Sequence, residues 1–207
     1  MGHIGKKWVV APNRFLRHEE IRALRTSAHR SVVQGHWEGR ARVFEYISME
    51  IAFGSGLRVA EIASLNCGDL SLGANAGVLF VRRGKGGKSR QVIISADLCR
   101  TLRRFLRWKI RRGESDQANA PLLLSSQTGA HLTTRALQKM FERVIGRSGI
   151  RRCRFHDMRH TYCSYLLKSS GNDLVFVKEQ MGHADLSTTS IYLHALNAEK
   201  AVNSLYA

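Results

Sequence analysis

Two β-rich runs, residues 77–83 and 90–94, flank the pentapeptide Gly84-Lys85-Gly86-Gly87-Lys88. So short a glycine-bearing connection folds the runs back on each other as an antiparallel hairpin. Most of the chain around it reads as helix. Glu19 and Glu20 open an amphipathic segment from His18, where the helix dipole favours negative charge. Val43, Ile47 and Ile51 recur at i+4 steps beside Tyr46 over residues 40–53, and Gly54-Ser55-Gly56 closes that helix. A third helix follows over 58–65. Residues 97–112 give a long helix with Leu98, Leu102, Leu106 and Ile110 on one stripe and a basic opposite side. Residues 121–126 and 131–132 read as a second small hairpin around Gln127-Thr128-Gly129. Leu137, Met140, Phe141, Val144 and Ile145 mark the core face of a helix over 134–145, stopped by Gly146 or Gly149. Helical patterns continue over 156–169, 173–181, 188–195 and 197–205. The fold class is α+β, mainly α-helical with small antiparallel β-hairpins.

A chain of 207 residues can bury a proper core as one domain. The reading divides it into a basic, non-periodic arm over 1–15 and one domain over 16–207. Lys and Arg outnumber Asp and Glu by 33 to 16, a net charge of +17, which exceeds what solubility needs and points to a polyanionic partner. Between Arg82 and Arg112 twelve basic residues stand against one acid, Asp97, and their one sign favours a phosphate-facing surface. The apolar runs are far shorter than the ~20 residues of a membrane span, and no secretory signal is visible, so a cytoplasmic protein with no membrane partner is expected. Cys67, Cys99, Cys153 and Cys163 form no Cys-x-x-Cys pair and read as reduced packing residues. With no Walker A loop and no carboxylate cluster, neither a cofactor nor a metal is expected.

Several chemically suggestive groups are weak signals alone. Arg58 follows a tight glycine turn and precedes Glu61 by three residues, as surface ion pairs often do. Lys85 and Lys88 sit on the hairpin turn. His156 and Arg159 fall at i and i+3 of one helix, whose other face Met158, Tyr162, Tyr165 and Leu166 would fill. His183 is followed nine positions later by Tyr192, with a polar stretch between them that reads as a loop leading into a helix. A phenol of pKa ~10 becomes a nucleophile only with strong electrophilic activation or a nearby base.

In this order and together, Arg58, Lys85, His156, Arg159, His183 and Tyr192 resemble the active site of the tyrosine recombinase family, the lambda-integrase-like site-specific DNA recombinases. Gly-Leu-Arg-Val-Ala-Glu from Gly56, with Leu65 and Asp69, is similar to the family's first arginine box. Gly84-Lys85-Gly86-Gly87-Lys88 resembles its lysine hairpin, with Lys85 in the catalytic place and Lys88 as second choice. His156-Asp157-Met158-Arg159-His160-Thr161 is similar to the His-x-x-Arg box. Met181-Gly182-His183 with Ser187-Thr188-Thr189 and Tyr192 is similar to the nucleophile box.

The resemblance implies transesterification. Tyr192 would attack a DNA phosphodiester and leave a 3′-phosphotyrosyl enzyme and a 5′-hydroxyl. Arg58, Arg159 and His183 would hold the charge on the non-bridging oxygens. Lys85 would protonate the departing oxygen, His156 would be base or proton partner to Tyr192, and Glu61 would support the arginines. Arg82, Arg83, Lys88, Arg90 and Arg104 are candidate DNA contacts. The implied partners are double-stranded DNA recombination sites and a homotetramer on them, joined by the apolar stripe of 197–205. Family members typically carry a further N-terminal DNA-gripping domain, so the short arm leaves open a need for an accessory DNA-binding protein. An enzyme of a mobile element, plasmid or phage is the leading reading. A catalytically idle DNA-binding relative and a type IB topoisomerase-like activity are the alternatives.

Overall fold

The computed structural model describes residues 15–30, 32, 37, 39–82, 84, 87–183 and 189–190. Helix α1 (His18–Arg30) has Glu19 and Glu20 in its first turn, His29 and Arg30 in its last, and buries Leu24 and Ala28. Helix α2 (Arg40–Ser55) is the hub. Val43, Phe44, Ile47, Met49, Ile51 and Ala52 are all buried along it, because α1 and the helices over 96–111, 134–148 and 155–169 pack around it. It stops where the sequence predicts: Gly56 takes a left-handed φ of 62° and its N–H donates to the Ala52 carbonyl at 3.1 Å. Helix α3 (Val59–Ala63) follows at once and is shorter than the sequence suggests.

The hairpin is present, within a three-stranded antiparallel sheet. Strands β2 (Ala76–Val81) and β3 (Arg90–Ser95) pair with Leu79 opposite Val92, and β1 (Leu70–Leu72) adds to the other edge of β2. The second hairpin reduces to a bridge between Leu124 and His131, with Leu132 N–H donating to the Leu123 carbonyl. His131, which carries no sequence signal of a partner, is half-buried and bonds Asn66 Oδ1 through Nε2 at 2.7 Å.

Side-chain oxygens at the N-cap start three of the remaining helices. Ser95 caps α4 (Ala96–Arg111), Thr133 caps α5 (Thr134–Ser148) and Asp173 caps α7 (Leu174–Met181), each accepting from an N–H three residues on. The predicted α4 stripe is corrected. Leu98, Cys99, Leu102, Phe105, Trp108 and Lys109 face inward, whereas Ile110 is 52% exposed. Phe105 stacks on Trp108 beside Phe44 and Trp37. In α6 (Phe155–Ser169) Tyr165, expected in the core, is exposed, while Arg159 is buried. A satellite core of Cys163, Leu167, Val177 and Met181 fixes α7 against α6. That contact brings the end of α7 to the end of α2. The four cysteines are free and buried. Among the described residues no helix is long and apolar enough to cross a membrane.

Candidate active site

Helices α2 and α7 end side by side, at Gly56 and Gly182, and each leaves carbonyls that no further turn of helix can satisfy. Arg159, in the second turn of α6, answers both. Its Nη1 donates to the Gly56 carbonyl at 2.6 Å and its Nη2 to the Met181 carbonyl. The negative ends of two helix dipoles thus hold a guanidinium that is only 4% exposed. Gly56 is required here for a second reason. A Cβ on it would lie 2.3 Å from Cδ1 of Tyr162, whose ring closes the other side of the turn and whose phenol burial pushes up to about 12.

Arg58 enters from the same turn. Its backbone N–H and Nη1 both donate to Glu61, at 2.8 and 2.9 Å, and Nη2 reaches the Gly182 carbonyl at 3.4 Å. Glu61 is buried and holds a second guanidinium by a parallel fork, Arg90 Nη1 and Nη2 to its two oxygens at 2.8 and 2.9 Å. Burial alone would raise the Glu61 pKa. Burial is the largest single influence, but the Arg90 fork, the Arg58 N–H and both cationic charges together outweigh it and hold the carboxyl down at about 2. Two guanidiniums against one carboxylate leave a net positive charge at the turn.

His183 follows Gly182, its N–H tied to the Lys178 carbonyl at 3.1 Å and its Nδ1 to the hydroxyl of the fully buried Thr189 at 2.9 Å. The backbone and one ring nitrogen of His183 are therefore both held. His156 lies one helical turn before Arg159, exposed, with its ring edge-on to His160 at 4.6 Å. Arg58, Arg159 and His183 meet around the 181–183 turn, with Glu61 beneath them. Lys85, Arg83 and Tyr192 lie outside the described residues.

The candidate DNA contacts do not share one role. Lys88 is exposed, and Arg82, also exposed, pairs with Asp69. Arg104 lies over the Trp37 ring at 4.8 Å. Arg90 is only 11% exposed and faces Glu61 rather than solvent, and Lys109, counted in the basic run, is fully buried against Glu114. Sequence reasoning missed Gln180, whose backbone carbonyl accepts from Arg90 Nε at 3.2 Å and whose Oε1 accepts from Ile93 N–H at 3.0 Å. One glutamine in a short helix carries no signal that could have found it. Among the described residues no group of His, Cys, Asp and Glu could hold a metal ion.

Residues 14–199 match the phage integrase family. The chain is 37% identical over 146 residues to the tyrosine recombinase XerC of Pseudomonas entomophila (strain L48), covering 70% of this chain and 46% of that protein. It is 36% identical over 160 residues to the tyrosine recombinase XerD of Ralstonia nicotianae, covering 77% and 50%. It thus spans about half the length of the curated relatives it matches. Among solved structures, the XerH site-specific recombinase bound to a palindromic difH substrate after cleavage superposes with a TM-score of 0.75 at 28% identity, over 93% of this chain and 53% of that one. The XerA recombinase superposes with a TM-score of 0.71 at 24% identity, over 91% and 64%. The fold is that of tyrosine recombinase catalytic domains.

Proposed function

This chain belongs to the phage integrase family, and from that premise we propose that it cuts and rejoins DNA at specific sites through a covalent 3′-phosphotyrosyl intermediate. The observation that carries the reading is the meeting of Arg58, Arg159 and His183 at one turn, over a carboxylate that two arginines keep ionised. Such a site suits an anion whose charge grows on non-bridging oxygens during attack.

In the proposed reaction the Tyr192 oxygen attacks phosphorus in line, the bond to the 5′-oxygen breaks, and a phosphotyrosine forms. Tyr192 gives up its proton with His156 as partner, and Lys85 delivers one to the departing 5′-oxygen. Arg58, Arg159 and His183 hold the phosphoryl oxygens. The phosphotyrosine keeps the energy of the broken ester, so attack by a new 5′-hydroxyl restores the duplex without a nucleotide. Exposed Arg82 and Lys88 would track the flanking phosphates, and Arg83 is assigned to the same task.

The proposed partner is duplex DNA carrying recombination sites. Two sites would be brought together by a homotetramer, with residues 197–205 as the exchanged segment. Residues 16–207 would form the catalytic domain and residues 1–15 a basic arm. An accessory DNA-binding protein is included in the proposal as a further partner.

The test is a nicked suicide duplex carrying the DNA that flanks this gene, incubated with wild type and with Tyr192→Phe and resolved on a denaturing gel. A covalent protein–DNA band from the wild type alone supports the reading. Binding without an adduct, with host extract also present, overturns it in favour of an idle DNA-binding relative. Relaxation of plasmids regardless of site would favour a topoisomerase-like activity.

A further inference from the structure

Arg90 opens β3 just after the lysine-bearing turn, a place where a basic residue reads as a phosphate contact. Its surroundings give it other work. All three guanidinium nitrogens are engaged within the protein, Nη1 and Nη2 on Glu61 and Nε on the Gln180 carbonyl. The plane of the group lies against Gly182, where a Cβ would sit 2.8 Å from Arg90 Cδ and 2.9 Å from Nε. With φ at 62°, Gly182 is a glycine both for its backbone and for this close approach. Gly84, at the neck of the turn, is as tightly fitted, since a Cβ there would meet Arg90 Nη1 at 3.2 Å and the Lys88 carbonyl at 2.8 Å.

Arg58 and Arg90 share Glu61 and differ in what they have left. Arg58 is 26% exposed and spends Nη2 on a long 3.4 Å bond. Arg90 is only 11% exposed and has its fork filled. The first is placed to meet a phosphate and the second to hold the first. The second half of the span is Gln180, pinned to β3 by both Arg90 Nε and Ile93 N–H just ahead of the turn that presents His183.

We propose that Arg90 is a positioning residue for the phosphate site: through Glu61 it sets Arg58, through Gln180 and Gly182 it sets the turn of His183, and it does not touch DNA. The inference rests on the recombinase reading for its catalytic consequence and on the geometry alone for its structural one. Lysine cannot reproduce a planar fork, so Arg90→Lys keeps the charge and loses the hold.

The experiment compares wild type, Arg90→Lys and Arg90→Met in three measurements. These are amide hydrogen exchange, the salt dependence of binding to a random-sequence duplex, and single-turnover cleavage of the nicked suicide duplex. The expected result is faster exchange at the Gly182 and His183 amides in both variants, with α4 and α5 protected as in wild type. The log–log salt slope should stay unchanged, and cleavage should fall about a hundredfold, as for an ångström of misplacement. A slope reduced by about 1 in Arg90→Met and kept in Arg90→Lys would make Arg90 a phosphate contact and overturn the proposal. So would wild-type exchange and wild-type cleavage in both variants. If wild type itself forms no adduct while both variants loosen at 182–183, the recombinase reading falls and the positioning stands.

Discussion

The backbone N–H of Arg58 and its guanidinium converge on one carboxylate, that of Glu61, at 2.8 and 2.9 Å. A residue that caps its own helix through a neighbour's side chain, and is aimed by the same side chain, has little freedom left. Glu61→Gln removes the charge and one accepting edge while Arg58 and Arg90 stay in place around a buried amide. Breaking a buried pair in this way costs about 3 kcal/mol. The urea midpoint should fall accordingly with the slope of the transition unchanged.

The same carboxylate makes stability depend on pH in a defined direction. Its folded pKa of about 2 lies below the ordinary 4.5. Glu61 therefore stabilises the fold fully above pH 4.5 and loses that contribution as pH falls toward 2. The difference corresponds to about 3 kcal/mol between the two ends of that window. The stability gap between wild type and Glu61→Gln should be flat from neutral pH to 4.5 and shrink below it, as read by urea unfolding at each pH.

Gly56 and Gly146 predict opposite outcomes for one substitution. At Gly56 the φ of 62° and the Tyr162 ring leave no space for a methyl group, and the carbonyl that moves is the one Arg159 holds. Gly56→Ala should cost about 2 kcal/mol or more. Gly146 lies within α5, and a methyl group added there would meet nothing within 4 Å, so Gly146→Ala should gain about 0.5–1 kcal/mol from helix propensity. Thermal unfolding of the two variants beside wild type reads both signs.

The thiols give a test of the core that needs no mutation. Burial pushes Cys153 and Cys163 up to about 12 and raises Cys67, and all four cysteines are shielded. A thiol-specific reagent at neutral pH should react with the native protein at least about a hundredfold more slowly than with the guanidinium-unfolded chain, since the thiolate is the reactive form. Rapid labelling of one thiol in native protein would contradict this packing.

How far the sequence spoke depended on whether a feature was local. The β2–β3 pairing was legible because a glycine–lysine turn joins its strands directly, and the end of α2 was legible from Gly54-Ser55-Gly56, whereas for α5 the sequence left Gly146 and Gly149 open and the helix runs through Gly146 to the left-handed Gly149. Arg58, Glu61, Arg159 and His183 stood out as spaced motifs; Glu61 bonds Arg58 and, unforeseen by the motif, Arg90. Strand β1 was not, because Leu70-Ser71-Leu72 is too short to display a period and its partner lies beyond a turn. The bond from Arg90 to Glu61 joins residues 29 apart and leaves no periodic trace. On α4 the chosen stripe stepped by four residues on a helix of 3.6, drifting about 40° each time, and carried Ile110 about 120° off the inward face. Phe105, Trp108 and Lys109 occupy that face instead.

Lys109 is the sharpest consequence of that drift. It is fully buried, its Nζ donating to Glu114 Oε2 at 3.0 Å and to the Pro121 carbonyl at 3.1 Å, 5.9 Å from the centre of the Phe105 ring. Its stem therefore fills core volume as its ammonium ties the segment after α4 to the loop before α5. The two roles separate by substitution. Lys109→Met keeps most of the volume, and Glu114 retains Arg40 at 2.9 Å, so the loss is confined to two hydrogen bonds and should be about 1–2 kcal/mol. Lys109→Ala loses the bonds and opens a cavity beside Phe105 and Trp108, and should cost about 3–5 kcal/mol. Urea midpoints should rank wild type above Lys109→Met above Lys109→Ala. Equal losses in the two variants would mean that the ammonium, and not the stem, carries the contribution.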